Sequence, residues 1–138
     1  MIVRIAQEGD LPAAFALRHE VFVLGQGVPA DLELDELDKV CVHAVAVRDG
    51  EVVGTGRLLP DATIGRMAVA ESARRQGVGA AVLALLERSA AERGQSTVQL
   101  HAQLHAAAFY EQAGYQRVGG VYLEAGIEHV TMTKQVTS

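Results

Sequence analysis

The residues best equipped for chemistry form one turn, Arg74-Arg75-Gln76-Gly77-Val78-Gly79-Ala80. It follows the strand-like run Ile64-Gly65-Arg66-Met67-Ala68-Val69 and opens a helix-like one. A helix start carries about four backbone N–H groups without intrahelical partners, and the positive end of the helix dipole. The two arginines add charge, and the glycines let a phosphate reach the backbone. Glycine inside a helix turn costs about 1 kcal/mol of propensity. A pair of them there points to a ligand rather than to a plain helix start. The turn predicts a pyrophosphate-sized anion site that needs no metal.

Other constellations are weaker. His101 and His105 are four apart, but a zincin helix needs Glu where Ala102 stands, so no metal site is expected. A Rossmann turn would need glycine at Val82, and a P-loop would need Lys-Ser/Thr after its last glycine. Asp31-Leu-Glu-Leu-Asp-Glu-Leu-Asp38 holds five acids in eight residues. Such runs are commonly solvated faces, so the acids are expected outward with the leucines inward; a pocket that attracts a cationic amine is the other reading. No glycine stands at the sixth position of that run, which excludes an EF-hand. Nothing marks the single Cys41 as an activated nucleophile.

The whole chain narrows the class. Its 138 residues suffice for one core and one domain, residues 1–138. A hydrophobic share of 49% with 21% charged residues describes a globular protein. The net charge of −5 argues against nucleic-acid binding, which needs a basic face. No run approaches the roughly 18 apolar residues of a membrane span, and the start lacks a signal-peptide pattern. With one cysteine, the expected place is the reducing cytoplasm.

The elements that must position the turn follow from periodicity. Residues 2–6 form a short strand, and a helix begins near Asp10 or Leu11 with Pro12 in its first turn. Gly25, Gly27 and Pro29 end it. Arg18 and His19 are expected to be structural. Residues 40–48 and 51–59 pair through Asp49-Gly50, and 62–70 extends the meander. Gly54 and Gly56 signal a bulge or a close approach. A helix with Val78, Ala81, Val82, Leu85, Leu86 and Ser89 on one face stops at Gly94. Residues 97–103 form a strand parallel to 62–70, because the helix between them is a crossover. A helix at about 105–114 and a hairpin of 115–123 with 127–134 complete the chain. The predicted class is α/β (α+β): a mixed, mainly antiparallel sheet of six to seven strands with about four helices.

This order, with an Arg- and Gly-rich turn after the fourth strand, resembles the GNAT superfamily of N-acetyltransferases. Their Q/R-x-x-G-x-G/A motif is matched by Arg74, Gly77 and Gly79. Their N-x-x-A-x-x-F/Y-Y-x-x-x-G-F/Y pattern is matched by Ala106, Phe109, Tyr110, Gly114 and Tyr115, with Gln103 replacing the Asn. The small ElaA-like subgroup is similar further still: Val21-Phe22-Val23, Gln26, Val28-Pro29, Glu33, Asp35 and Asp38, the stretches 54–58 and 64–69, and the run from Glu124 to His129. Gly25 stands where that subgroup has Glu.

The resemblance implies acetyl-coenzyme A as co-substrate. Its pyrophosphate would lie on the amides of Gln76, Gly77, Val78, Gly79 and Ala80, beside Arg74 and Arg75. Its pantetheine arm would pair with Met67, Ala68 and Val69, and Gln103, Ala106, Phe109 and Tyr110 would complete the cofactor site. The next strand must splay to admit the arm. Tyr110 is the implied general acid toward the leaving thiolate, as a phenol of ordinary pKa about 10 stays protonated at pH 7. The base stays open among Glu33, Asp35, His43, Glu124 and His129, with Glu33 and His43 foremost. Asp35, Glu124 and His129 are the acceptor-site candidates. The expected acceptor is an amine of a small molecule or peptide, and a homodimer is open. A non-catalytic acyl-coenzyme A sensor or assembly module is the alternative, and a nucleotide-binding protein the third reading.

Overall fold

The computed structural model describes residues 1–137. Seven strands form one sheet: β1 (Ile2–Ile5), β2 (Val42–Arg48), β3 (Glu51–Leu58), β4 (Thr63–Val69), β5 (Thr97–Gln103), β6 (Gln116–Glu124) and β7 (Ile127–Gln135). Their order in the sheet is β1-β2-β3-β4-β5-β7-β6, and only β4 and β5 run parallel. Two hairpins close on left-handed turn residues, Asp49 and Gly50 (φ 52° and 80°) and Ala125 and Gly126 (φ 51° and 75°). Both suit the right-handed twist of a two-residue hairpin.

Helix α1 (Leu11–Arg18), continued by one wide π-helical stretch His19–Leu24, packs on one face of the sheet with the short α2 (Ala30–Glu33). Helix α3 (Val78–Glu92) packs on the other face, and α4 (Ala107–Gln112) follows β5. Glycine governs how close α3 comes. A Cβ on Gly54 would stand 2.5 Å from Val78 Cγ1, and one on Gly56 would stand 2.5 Å from Met67 Sδ and 3.0 Å from Leu86 Cδ1. Both glycines also flank a register shift, so the close approach and the bulge expected from sequence are both present. The inner face of α3 carries Val78, Val82, Leu83, Leu86 and Ala90, with Ala81 and Ser89 only half-buried.

Two features of β4 shape the site. Arg57 stands opposite Gly65 and Thr55 opposite Ala68, so Arg66 and Met67 of β4 face the single residue Gly56. Arg66 adopts φ 50° at this bulge. On its other side, β4 pairs with β5 only at Thr63 with Gln99 and Ile64 with Leu100. Beyond that vertex the strands part, which is the splay that the cofactor arm requires.

The acidic run is corrected by the structure. Its acids do not all face outward: Glu33 and Asp38 are 4% and 7% exposed, whereas Leu32, Leu34 and Leu37 are open to solvent. Arg18, 1% exposed, draws the carboxylates in. A buried ion costs several kcal/mol unless paired, and that cost inverts the usual pattern here.

Candidate active site

The fork between β4 and β5 opens into a cavity of about 730 Å³. Of the predicted residues it gathers Glu33, Asp35, Met67, Ala68, Val69 and Arg74 on one side. Gln103, Ala106, Tyr110, Glu124 and His129 complete the set. A larger groove of about 960 Å³ lies between α1 and the β2–β3 hairpin, around Glu20, Glu51 and Glu71. It is away from the fork and holds none of these residues.

At the open end of the fork stands the turn that leads into α3. Gly77 is its N-cap, at φ 79° and ψ 8°, and no side chain caps the helix. The first amides of α3 therefore stay open to a ligand. A Cβ on Gly77 would meet nothing within 4 Å, so no protein atom crowds that side of the turn. Arg74 Nε donates to the Val69 carbonyl at 3.2 Å and ties the turn to the end of β4. Gln76 accepts from Arg48 Nη1 at 2.6 Å and donates to Ser72 O at 3.3 Å. Arg75 and Ala80 are exposed. Phe109 of α4 abuts Gly79, its Cζ 3.5 Å from where a Cβ would sit.

Tyr110 packs edge-on to Phe109 and Tyr115, at 5.0 and 5.8 Å between ring centroids. Burial pushes its phenol up to about 12. The group is therefore protonated over the range in which an acetyl thioester survives. Among the described residues its hydroxyl has no hydrogen-bond partner, although the residue lines the cavity.

The opposite wall is an ionic network of three guanidinium groups and three carboxylates. Arg18 Nε donates to Glu33 Oε2 at 2.9 Å, and its Nη1 to Asp38 Oδ1 at 2.7 Å. Arg57 Nη1 reaches Asp35 Oδ1 at 2.8 Å and Asp38 Oδ1 at 2.9 Å. Arg66, turned by the bulge, donates to the carbonyls of Glu33 and Leu32 at 3.0 and 3.1 Å and stands 3.2 Å from Glu33 Oε2. Burial by itself would raise the Asp38 carboxyl, but the hydrogen bonds and charge of Arg18, then those of Arg57, outweigh it and bring the group to about 2. Arg57 likewise holds Asp35 below its usual range.

The two foremost base candidates thus have other partners. The Glu33 carboxylate lies between Arg18 and Arg66. His43 is 6% exposed, its Nε2 lies 2.9 Å from Asp38 O, and its ring sits edge-on to Phe15. It is not part of the cavity wall. Gln103 and Gln26 form a reciprocal amide pair across the cavity mouth, at 2.7 and 3.3 Å. Glu124 Oε2 lies 3.5 Å from His129 Nε2, and His129 Nδ1 lies 2.7 Å from Ile127 O. Burial raises the Cys41 thiol, against any nucleophilic use.

Arg57, Arg66, His101 and Tyr122 received no site role from the sequence. Arg57 and Arg66 lie within the stretches 54–58 and 64–69 that carried the resemblance. An arginine inside a half-buried strand requires an acid partner, and the acidic run supplies it.

A sheet forked at its one parallel pair, with an uncapped helix start at the open end, defines the class: an acyltransferase domain of the GNAT type. The acetyltransferase (GNAT) domain profile matches residues 19–136. The uncharacterized N-acetyltransferase YjcF of Bacillus subtilis is 42% identical over 132 residues, covering 92% of this chain and 94% of that protein. Protein ElaA of Escherichia coli is 33% identical over 92% of this chain and 88% of its own. Its crystal structure superposes with a TM-score of 0.84 over 97% and 99% of the two chains. An acyl-CoA N-acyltransferase from Pseudomonas aeruginosa, 33% identical, covers 96% and 98% at a TM-score of 0.84. The chain belongs to the GNAT acetyltransferase family, in its ElaA-like branch. It is an N-acetyltransferase.

Proposed function

We propose that residues 1–138 act as one domain that moves acetyl directly from the thioester to an amine of a small molecule or peptide. The observation that carries this reading is the fork: from Gly65 to Val69, β4 has no partner on its β5 side. An extended pantetheine arm can add there as a strand would, through main-chain N–H and C=O groups. The pyrophosphate then falls on the uncapped amides at Gly77–Ala80, favoured by the helix dipole, Arg74 and Arg75. A β4 amide near the bulge stabilises the oxyanion of the tetrahedral intermediate.

Tyr110 donates its O–H to sulfur as the C–S bond breaks. Its raised phenol and its otherwise unpartnered hydroxyl support that role. Glu33 and His43, joined to Arg18 and to Asp38, are read as parts of the wall rather than as the base. Asp35 belongs to the same wall, whereas Glu124 and His129 border the acceptor end. The acceptor enters from the α1–α2 side, where Glu124 is exposed and attracts an ammonium. A cytoplasmic place suits the single free Cys41, and no helix among the described residues is long and apolar enough to cross a membrane. Val118, Val121 and Leu123, exposed on the outer strand β6, support a homodimer, which sedimentation would read.

Thiol release with acetyl-coenzyme A and a panel of amines, polyamines, aminoglycosides and peptides tests the reading. Tyr110→Phe should lower turnover about 10²-fold with little change in acetyl-coenzyme A affinity. Unchanged turnover would remove Tyr110 as the acid. Tight cofactor binding without thiol release for any amine would leave the sensor reading.

A further inference from the structure

We infer that His101, oriented by Tyr122, takes the proton from the acceptor amine. The inference rests on the acetyl-transfer reading above and adds the base that reading lacks. Leu100 is the last β5 residue paired with β4, so His101 is the first residue beyond the vertex of the fork. It lies on the sheet face that carries Gln103, Tyr122 and His129, and it lines the cavity. A pantetheine arm laid along β4 from the phosphate turn runs toward that vertex. The reacting carbonyl therefore arrives at the level of His101. His105, which also lines the cavity, lies beyond the end of β5, near the mouth.

The second observation is the fixed imidazole. Nδ1 lies 2.6 Å from Tyr122 Oη, with Thr131 Oγ1 at 3.4 Å. The rings meet edge to face at 6.1 Å. With Nδ1–H donating to the phenol oxygen, the lone pair of the neutral ring is on Nε2, which has no hydrogen-bond partner among the described residues. Apart from His105 near the mouth, the carboxylate and imidazole alternatives on the cavity wall are engaged. Glu33 and Asp35 face Arg18, Arg57 and Arg66; His129 is buried, with its Nδ1 on Ile127 O and its Nε2 toward Glu124. Tyr122 from β6 touches His101 directly, and the charged or titratable groups that share its cavity include His129 from β7, Glu124 at the hairpin, His105 and Tyr110 after β5, and Arg57, Asp61 and Arg66 with Glu33 and Asp35 on the far wall.

In the step, the ammonium gives one proton to His101 Nε2, and the freed lone pair forms the N–C bond at the thioester carbonyl carbon. The C–S bond then breaks with its electron pair on sulfur, which takes the Tyr110 proton. The second nitrogen proton restores that phenol through water, and His101 returns its proton to solvent. Amide, free thiol and one proton are the products.

The test measures thiol release against pH for the wild type, His101→Gln, His101→Ala with and without added imidazole, and Tyr122→Phe. Acetyl-coenzyme A affinity by calorimetry checks the fold of each variant. His101→Gln should lower kcat about 10²-fold, abolish the acidic limb of kcat/KM and leave cofactor affinity within twofold. Imidazole should restore part of the His101→Ala rate. Tyr122→Phe should lower kcat and leave the amine KM unchanged, because Nδ1 loses the phenol that orients the ring. A wild-type rate and pH profile in His101→Gln overturns the inference alone. So does a rise in the amine KM with kcat intact. A wild type that releases no thiol with any amine overturns the acetyl-transfer reading, and the inference with it.

Discussion

The two ends of the fork are built in opposite ways. The donor end uses contiguous chain: β4, the turn at 74–77 and the first amides of α3 lie within residues 63–80, and the groups on offer are mainly backbone. In the proposed reading the acceptor end uses side chains brought from six places: Arg18, the acidic run, Arg57 on β3, Arg66 on β4, His101, and the β6–β7 hairpin. On the same reading the backbone amides hold the part of the cofactor that every reaction shares. Side chains gathered from distant elements can change independently, which suits the part of the proposed site that would meet the amine.

The sharpest way to break this contrast is Arg18→Met. It leaves Glu33 and Asp38 buried beside too few cations, and removing one partner of a buried pair costs about 3–5 kcal/mol. Urea unfolding should show that loss, while any folded fraction keeps its acetyl-coenzyme A affinity, since the donor end owes nothing to Arg18. Gly77→Val strikes the other end. The left-handed backbone at φ 79° costs a branched residue about 1–2 kcal/mol, and relieving that strain shifts the N-cap from which the first amides of α3 are set. Acetyl-coenzyme A should bind at least about tenfold more weakly, or about 1.4 kcal/mol, with the amine KM little changed in titrations at saturating cofactor.

The smallest effect separates the ends by pH. Asp38 sits near 2 in the folded protein against an ordinary 3.8. Its contribution to stability is complete above about 3.8 and is lost as the pH falls from there through 2. Asp35, lowered by Arg57, acts in the same direction. Urea midpoints taken from pH 6 down to 2.5 should fall below pH 4 and stay flat above it. Arg18→Met should flatten the acid slope.

Much of the fold was legible because its signals are local. Asp49-Gly50 and Ala125-Gly126 mark the hairpins, and the crossover helix dictates the one parallel pair. Gly54 and Gly56 signalled a bulge or a close approach, and the structure holds both, the approach being that of α3. The acidic run misled for a definite reason. Charge patterning along a segment assumes water outside it, and the partners of Glu33 and Asp38 lie 15 and 20 residues upstream, at Arg18. His101 was weighed only against His105, four residues on, because sequence spacing cannot show a cross-strand neighbour such as Tyr122.

The sequence by itself determined a strand, an Arg- and Gly-rich turn and a helix start, each a property of a few consecutive residues; the left-handed backbone of Gly77 belongs to the structure. Only the tertiary structure decided where β4 and β5 part, which acids are buried and which histidines line the fork. Those outcomes depend on pairing and desolvation between segments far apart in the chain. Their energies exist only once the sheet has brought the partners within hydrogen-bonding distance.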